Sequence, residues 1–262
     1  MITIELKDGS KREIESGTSI LEIAKSISEG LARVAMAGRV EGKVEDLRYK
    51  VEKDCKLEIL TFDDIDGKKA YWHTTSHIMA QAIKRLYKNV KLAIGPAIDD
   101  GFYYDFDSEH RFSEEDFAKI EEEMKKIIKE DLEITRFELP RDEALKLMEE
   151  AGEDYKQELI NDLPEDETIS FYKQGEFVDL CAGPHLMSTG KVKCVKLLSV
   201  AGAYWRGNEN NKMLQRIYAI SFPKASLLDE HLKVLEEAKA RDHRRLGKEL
   251  ELFMTHKLVG SG

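Results

Sequence analysis

The chain begins with a pattern of hydrophobic and polar residues that predicts a β-hairpin. Ile2, Ile4 and Leu6 alternate with polar residues, as in a strand that is buried on one face. Asp8-Gly9 is a hairpin turn signal, and a second strand is expected to reach Ile14. The first two elements are therefore expected to be antiparallel strands.

A helix and two more strands are predicted after the hairpin. Ser19 and Glu22 have the spacing of a capping box, so a helix is expected to begin there and to end at Gly30. Hydrophobic runs at 34–38 and 56–60 favour strands. One helix across such a sheet is typical of a ubiquitin-like β-grasp domain. This segment contains no histidine and one cysteine, so we expect no catalysis there.

After residue 61 the hydrophobic pattern predicts both helices and strands. A polar, turn-rich stretch at 63–69 predicts a linker, and the helix after it carries His73 and His77. The other predicted elements are an aromatic-rich strand at 101–106, an amphipathic helix at 114–131, helices at 141–152 and around Lys156, a hairpin at 169–180, strands at 192–200 and 214–222, and a charged helix at 225–253.

These elements predict an α+β chain of two domains and a terminal helix. The expected boundaries are 1–61 for the small β-grasp domain, 62–224 for a larger α+β domain and 225–262 for the helix. Because the last helix is too polar to form a domain alone, we expect it to link the second domain to a part of the protein outside this sequence.

Composition places the chain among globular proteins of a reducing compartment. Hydrophobic residues make up 42% and charged residues 35% of the 262 positions. No run approaches the roughly 20 apolar residues of a membrane span, and the start of the chain reads as a strand and not as a signal peptide. Three scattered cysteines disfavour a disulfide framework. We therefore expect a cytoplasmic protein with no membrane partner.

The net charge of −10 argues against broad nucleic-acid binding through phosphate neutralisation. This charge does not exclude a local basic surface that binds an RNA end in one cleft. A mixed, solvated surface is the equally weighted alternative. The basic residues concerned are Lys173, Lys191, Lys193, Lys196 and Arg206.

Two short motifs hold the most reactive side chains. His73-Thr-Thr-Ser-His77 and Cys181-Ala-Gly-Pro-His185 each place two such groups four positions apart, the spacing that puts both on one face of a helical turn. We expect the two pairs to meet in one site. Three histidines and a cysteine are also a ligand set for tetrahedral zinc. The first motif lacks the glutamate of zinc proteases, which excludes that class.

Several longer motifs resemble those of threonyl-tRNA synthetase and occur in that family's order. The resemblance covers residues 1–253 and is to the family's N-terminal half: a TGS-type β-grasp domain, the second additional (editing) domain shared with alanyl-tRNA synthetases, and a linker helix. Besides the two motifs above, it rests on Gly95-Pro-Ala-Ile-Asp-Asp-Gly-Phe-Tyr-Tyr-Asp, Gly202-Ala-Tyr-Trp-Arg-Gly, Leu214-Gln-Arg-Ile-Tyr and Asp242-His-Arg-Arg-Leu-Gly-Lys-Glu-Leu.

The resemblance also implies what to expect of the whole enzyme. In the family the chain continues into a class II catalytic domain and an anticodon-binding domain, whose segments this sequence does not contain. We therefore expect a fragment that does not aminoacylate, with ATP bound only in the missing catalytic domain. A homodimer is expected for the full-length enzyme.

By resemblance, the second domain edits tRNA by hydrolysing the ester of serine wrongly attached to threonine tRNA, whose charged 3′ end is the partner. Serine lacks one methyl of threonine, a difference of about 1–3 kcal/mol that a synthetic site alone discriminates poorly. The resemblance assigns water activation or transition-state contact to His73 and Lys156. Substrate binding is assigned to His77, Gly95, Tyr104, Asp179, Cys181 and His185.

Several alternatives stay open. Lys156 acts as a base only if it is buried as the neutral amine, and otherwise serves as a cation facing the oxyanion. Cys181 lacks an activating context for a covalent nucleophile. The resemblance favours hydrolysis without a metal, but His73, His77, Cys181 and His185 also match the zinc-dependent editing site of the alanyl type. A non-catalytic tRNA-binding module, motivated by the β-grasp domain and the missing catalytic core, is a further hypothesis.

Overall fold

A computed structural model describes residues 1–240, 255–256 and 260–261, and its helices and sheets confirm the predicted α+β class. Residue contacts divide the chain into two units, Met1–Pro223 and Lys224–Gly262. Within the described ranges, no helix is both long and apolar enough to cross a membrane. Both expected domains fall in the first unit, so the boundaries after residues 61 and 224 stay predictions.

The N-terminal sheet has the predicted β-grasp arrangement. Its order is second, first, seventh, fourth and fifth strand, and the first strand is antiparallel to the second and parallel to the seventh. The strands of this region are β1 (Ile2–Leu6), β2 (Lys11–Ile14), β3 (Thr18–Ser19), β4 (Ala37–Val40), β5 (Lys43–Glu45), β6 (Lys50–Val51) and β7 (Cys55–Leu60).

One amphipathic helix, α1 (Ile20–Ile27), covers this sheet. The predicted capping box is present, because the Ser19 Oγ accepts the Glu22 N–H at 3.3 Å and the Glu22 carboxylate accepts the Ser19 N–H at 2.9 Å. The helix residues buried in the core of the domain are Ile20, Ile23 and Ala24.

The predicted end of this helix at Gly30 is wrong. Ser28 has extended backbone angles (φ −165°, ψ 147°), and its Oγ accepts a backbone N–H of the next turn at 3.0 Å. Ser28 therefore ends α1 and starts a second helix, α2 (Glu29–Val34). The strand predicted at 34–38 accordingly begins only at Ala37.

The linker predicted at 63–69 is also wrong, because the long helix α3 (Ile65–Leu86) begins inside it. The polar residues there belong to a helix start, where the carboxylate of Asp66 is favourable. A Cβ on Gly67 would lie 2.0 Å from the Thr61 carbonyl oxygen, so glycine lets the helix start directly against the end of β7.

The rest of the first unit combines α3 with two antiparallel sheets. The elements are β8 (Lys91–Leu92), β9 (Ala97–Ile98), β10 (Gly101–Asp107), α4 (Phe117–Glu130), β11 (Ile134–Glu138), α5 (Arg141–Glu150), α6 (Asp154–Asp162), β12 (Ser170–Gln174), β13 (Phe177–Leu180), β14 (Cys194–Tyr204) and β15 (Met213–Phe222). One sheet has the order β14-β15-β10-β8, with β9 paired to β10, and the other β11-β12-β13. The elements predicted in this region are present, whereas β8, β9 and β11 were missed.

The second unit contains the helix α7 (Ala225–Ala240) and a short antiparallel pair, β16 (Thr255–His256) and β17 (Gly260–Ser261). The helix predicted over 225–253 is thus described as far as Ala240. Its remainder, with the motif that begins at Asp242, lies outside the described residues.

We expect Ser19→Ala to lower the free energy of unfolding by about 1 kcal/mol, because it leaves an N-terminal amide of α1 without its acceptor. Urea denaturation measures the change. Ser26→Ala is the matched control, since the Ser26 Oγ donates to the Ile23 carbonyl oxygen within the same helix and caps no helix end. Equal losses in the two variants would contradict a capping role.

Candidate active site

The two reactive motifs meet inside the first unit. His73 and His77 project from α3 at the predicted four-residue spacing. Cys181 and His185 lie in the loop after β13, so the helical turn predicted for this pair is wrong, because Gly183 (φ 77°) before a proline cannot continue a helix. The loop still brings the Cys181 Sγ to 3.3 Å from His73 Nε2 and 3.2 Å from His185 Nε2.

These four side chains form a compact donor cluster. One ligand atom from each of them lies within 4.8 Å of the others. The imidazole centroids of His73 and His77 are 4.3 and 4.2 Å from that of His185. Histidine nitrogens and a cysteine sulfur are the donors of tetrahedral zinc sites, so the residues present fit such an ion.

A buried carboxylate lies beside the cluster. The side chain of Asp179 is 2% exposed, and its Oδ1 is 2.6 Å from the Nζ of Lys156, whose side chain is 4% exposed. The Tyr104 hydroxyl donates to Asp179 Oδ2 at 2.6 Å and accepts from Lys156 Nζ at 3.2 Å. His77 Nε2 is 3.3 Å from the same Oδ2. An ion pair is therefore held in the interior by direct contacts.

Separate elements supply this network. Tyr104 comes from β10, a strand inside its sheet, Lys156 from α6, and Asp179 from β13, where it pairs in register with a residue of β12. Helix α6 is anchored beside Lys156, since the ring of Tyr155 packs on that of Trp205 at 5.0 Å between centroids. The position of each group is thus set by the packing of its own element.

Burial keeps the histidines of the cluster neutral. Loss of solvation lowers the pKa of His73 to about 4 and that of His77 to about 3, although the Asp179 charge opposes both shifts. Burial likewise holds the pKa of His185 well below its ordinary value. At pH 7 each ring is therefore available to accept a proton or a hydrogen bond.

Burial also keeps Cys181 in the thiol form. Desolvation, with the Asp179 charge adding to it, raises the pKa of Cys181 to about 12. Because the thiolate and not the thiol is the nucleophile, the geometry favours a hydrogen-bonding role for Cys181 over covalent catalysis.

Asp179 carries the negative charge of the site. Burial by itself would raise the pKa of this carboxyl, but Lys156, His77 and Tyr104 together hold it below its ordinary value. The pKa of Tyr104 is raised well above its ordinary value by burial and by the Asp179 charge, so its hydroxyl stays protonated and donates to the carboxylate.

Gly95 closes one side of the site against Tyr104. A Cβ at this position would lie 2.1 Å from Cδ2 of the Tyr104 ring, so only glycine fits. The Gly95 carbonyl oxygen accepts a hydrogen bond from the Ser76 Oγ at 2.7 Å, which ties the segment to α3.

Two residues in contact with His185 were missed from the sequence. The Thr74 Oγ1 is 3.3 Å from His185 Nδ1 and accepts the Leu186 N–H at 2.9 Å. The Tyr172 ring packs on the His185 ring at 4.3 Å between centroids. Thr74 could have been found, because it lies within the first motif. Tyr172 could not, because nothing in the sequence distinguishes it from the other aromatic residues in strands.

Part of the proposed basic cluster is neutralised by neighbouring acids. Lys196 Nζ is 2.9 Å from a carboxylate oxygen of Glu121, and Arg206 Nη2 is 2.5 Å from one of Asp162. These two residues therefore add little free positive charge for RNA.

Models of known domain families match both parts of the first unit. A TGS domain matches residues 2–61. The threonyl and alanyl tRNA synthetase second additional domain matches residues 169–218, a range that includes Asp179, Cys181 and His185. The two domains are thus present in the order that the motifs indicated.

The chain is also similar to threonine–tRNA ligases. It is 67% identical to that of Caldanaerobacter subterraneus subsp. tengcongensis, 69% to that of Acetivibrio thermocellus and 65% to that of Clostridioides difficile. Each alignment covers 97% of this chain and 40% of the relative, so the chain spans about two fifths of the length of these ligases, in their N-terminal part. These matches confirm the resemblance drawn from the motifs.

We expect acid to destabilise the fold through His77. In the unfolded chain its pKa is about 6.5, so the unfolded state binds a proton as the pH falls below that value while the native state, with a pKa of about 3, does not. Stability is fully present above pH 6.5 and is lost progressively below it. From His77 alone the free energy of unfolding should fall by about 2 kcal/mol between pH 7 and pH 5.

Urea denaturation at pH 7 and pH 5 tests this expectation. His77→Gln should show a smaller fall between the two pH values than the wild type. His110→Gln, which changes a half-exposed surface histidine beside Asp116, should keep the wild-type fall. The same fall in all three proteins would contradict the prediction.

Proposed function

Because the chain carries a TGS domain and a threonyl and alanyl tRNA synthetase second additional domain, we propose that it is the editing part of a threonine–tRNA ligase and hydrolyses the ester of serine on threonine tRNA. The observation that carries the proposal is the buried Lys156–Asp179–Tyr104 network beside neutral imidazoles. A cation, proton acceptors and hydrogen-bonding groups together are what ester hydrolysis requires.

Water is the proposed nucleophile, with His73 as its proton acceptor. The water oxygen bonds to the ester carbonyl carbon while its proton passes to the His73 imidazole. The bond from that carbon to the ribose oxygen then breaks, and the ribose oxygen takes the proton from His73, so that serine and uncharged tRNA are released. His73 is proposed for this role because it is half-buried, whereas His77 and His185 are fully buried, and because its imidazole is neutral at pH 7.

Lys156 is proposed as the cation that faces the developing oxyanion. Its Nζ lies 2.6 Å from Asp179 Oδ1, a contact between an ammonium group and a carboxylate. This contact favours the electrostatic role over that of a general base, the alternative left open by the sequence.

The remaining site residues are proposed to hold the substrate. Asp179 contacts Lys156, Tyr104 and His77, and its main proposed role is to orient these groups. Contact with the substrate ammonium is its secondary role. The other proposed binding groups are His77, Gly95, Tyr104, Cys181 and His185.

The proposed selectivity is steric. A synthetic site that accepts threonine cannot strongly exclude the smaller serine, because a missing methyl changes binding by only about 1–3 kcal/mol. A second site that admits serine and clashes with the threonine methyl corrects the error. The packed donor cluster, with contacts of 3.2 and 3.3 Å to the Cys181 Sγ, supports such a tight pocket.

We propose hydrolysis without a metal, and zinc-dependent hydrolysis is the alternative hypothesis. The four clustered donors would hold a zinc ion, which would supply Lewis-acid activation of water. Two protein partners outside the cluster support hydrolysis without a metal: His77 Nε2 contacts Asp179, and His185 Nδ1 contacts Thr74.

The proposed partner is the charged 3′ end of threonine tRNA, with serine as the edited amino acid. The proposed location is the cytoplasm, where tRNA is charged. ATP binding and a homodimer are proposed for the full-length ligase and not for this chain.

We expect the chain to deacylate seryl-tRNA for threonine, and His73→Ala or Lys156→Ala to lower the rate constant of serine release by about 100-fold or more. Loss of the proton acceptor or of the cation removes stabilisation of the transition state. Release of labelled serine under single-turnover conditions measures the rate.

Matched controls are His110→Ala and Lys146→Ala, which change exposed side chains paired with Asp116 and Glu150. Both should keep the wild-type rate. Tight tRNA binding without any serine release by the wild type would favour the non-catalytic alternative, and full activity in a His73→Ala, Lys156→Ala double variant would refute the assigned roles.

We expect chelators to leave the rate of serine release unchanged, because the proposed reaction uses only protein groups. Elemental analysis of the purified chain should find less than about 0.1 zinc per chain. Equimolar zinc, with activity lost on chelation and restored by added zinc, would establish the alanyl-type reading instead.

A further inference from the structure

We propose that Asp46 and Arg48 of the β-grasp domain are positioning residues for His185, so that this domain completes the editing site. The inference rests on the proposed function and extends it to a domain in which the sequence predicted no catalytic part. It is carried by a chain of contacts that runs from the β-grasp domain to the loop bearing His185.

Asp46 reaches directly into that loop. It is 7% exposed, and its Oδ2 accepts hydrogen bonds from the Tyr172 hydroxyl at 3.1 Å and from the His185 backbone N–H at 3.4 Å. Its Oδ1 accepts from Arg48 Nη1 at 2.5 Å. One buried carboxylate thus joins the backbone of His185, the aromatic residue beside it and the neighbouring arginine.

Arg48 holds the residues that follow His185. Its Nη2 donates to the carbonyl oxygens of Leu186 at 2.9 Å and Met187 at 3.1 Å, and also to that of Ile134. A planar guanidinium with several fixed donors suits this arrangement, because it satisfies carbonyl groups of two segments at once.

Tyr172 connects Asp46 to the imidazole of His185. Its ring packs on the His185 ring at 4.3 Å, and its hydroxyl leaves no room for a side chain at Gly183, where a Cβ would lie 2.1 Å from the hydroxyl oxygen. The His185 Nε2 in turn contacts the Cys181 Sγ at 3.2 Å. Loss of Asp46 would therefore free the ring that sets this contact.

The opposite side of His185 is held by α3. Thr74 contacts His185 Nδ1 at 3.3 Å and accepts the Leu186 N–H. His185 is thus fixed between the helix that carries His73 and the β-grasp domain. If the contacts with Asp46 are lost, the imidazole still contacts Thr74 but no longer has a defined orientation. We therefore expect a larger effect on catalysis than on folding.

A second contact between the two domains provides a matched control. Arg39 of β4 bridges Glu58 at 2.5 Å and Asp66, in the first turn of α3, at 2.8 Å. Asp66 precedes His73 by seven residues, about 10 Å along a helix. Arg39→Met therefore weakens the attachment of the β-grasp domain without touching the His185 loop.

The experiment compares Asp46→Ala, Asp46→Asn, Arg48→Met and Arg39→Met in the full chain. Serine release from seryl-tRNA gives kcat and KM, and ring signals of His185 are followed by proton–carbon NMR. We expect Asp46→Ala and Arg48→Met to lower kcat by about 10-fold with KM changed less than 2-fold. Asp46→Asn, which keeps an acceptor oxygen, should recover part of kcat, and Arg39→Met should keep it.

Equal losses of kcat in Arg39→Met and Asp46→Ala would overturn the proposal, since they would show that domain attachment alone matters. Wild-type kcat with unchanged His185 signals in Asp46→Ala would overturn it as well. If the wild-type chain releases no serine, the proposed function fails, and the NMR signals decide the positioning role alone. A shift of the His185 ring signals in Asp46→Ala but not in Arg39→Met supports it, and no shift refutes it.

Discussion

The candidate site depends on an ion pair that is buried in the protein interior. Lys156 and Asp179 are almost inaccessible to solvent and lie 2.6 Å apart. Removing two charges from water costs several kcal/mol for each ion, and the cost is offset only where the geometry is close and the remaining lone pairs are satisfied. The Tyr104 hydroxyl and His77 contact Asp179 Oδ2 and Lys156 faces Oδ1, so β10, α3, α6 and β13 hold one another in place.

The same burial sets the chemistry of the neighbouring groups. Exclusion of water lowers the pKa of the clustered histidines and raises that of Cys181, which leaves neutral acceptors and a protonated thiol beside one cation. A site of this kind presents neutral imidazoles as proton acceptors at pH 7, beside a cation that can stabilise negative charge. Burial, and not the residue types alone, therefore decides the protonation state of these groups.

Local signals in the sequence predicted much of the fold and the members of the reactive cluster, although not the loop that carries Cys181 and His185. The capping box at Ser19 and the spacing of His73 and His77 depend on neighbours within four residues, and both appear as expected. Predictions were wrong where two signals for a helix end lie close together. Gly30 was expected to end α1, but Ser28 ends it two residues earlier. The polar stretch at 63–69 was expected to be a linker, but α3 begins inside it. Polarity alone does not separate a loop from the first turn of a helix.

The sequence by itself determined most of the helices and strands, the two domain types and the residues able to do chemistry. Only the tertiary structure decided that Cys181 and His185 meet His73 through a loop, that Lys156 is an internal charge, and that Asp46 reaches His185 across 139 positions. Motif spacing reports contacts along one helix or strand, whereas burial and hydrogen bonding between distant segments arise when separate elements pack together. Those long-range contacts are what turn a set of reactive residues into a site.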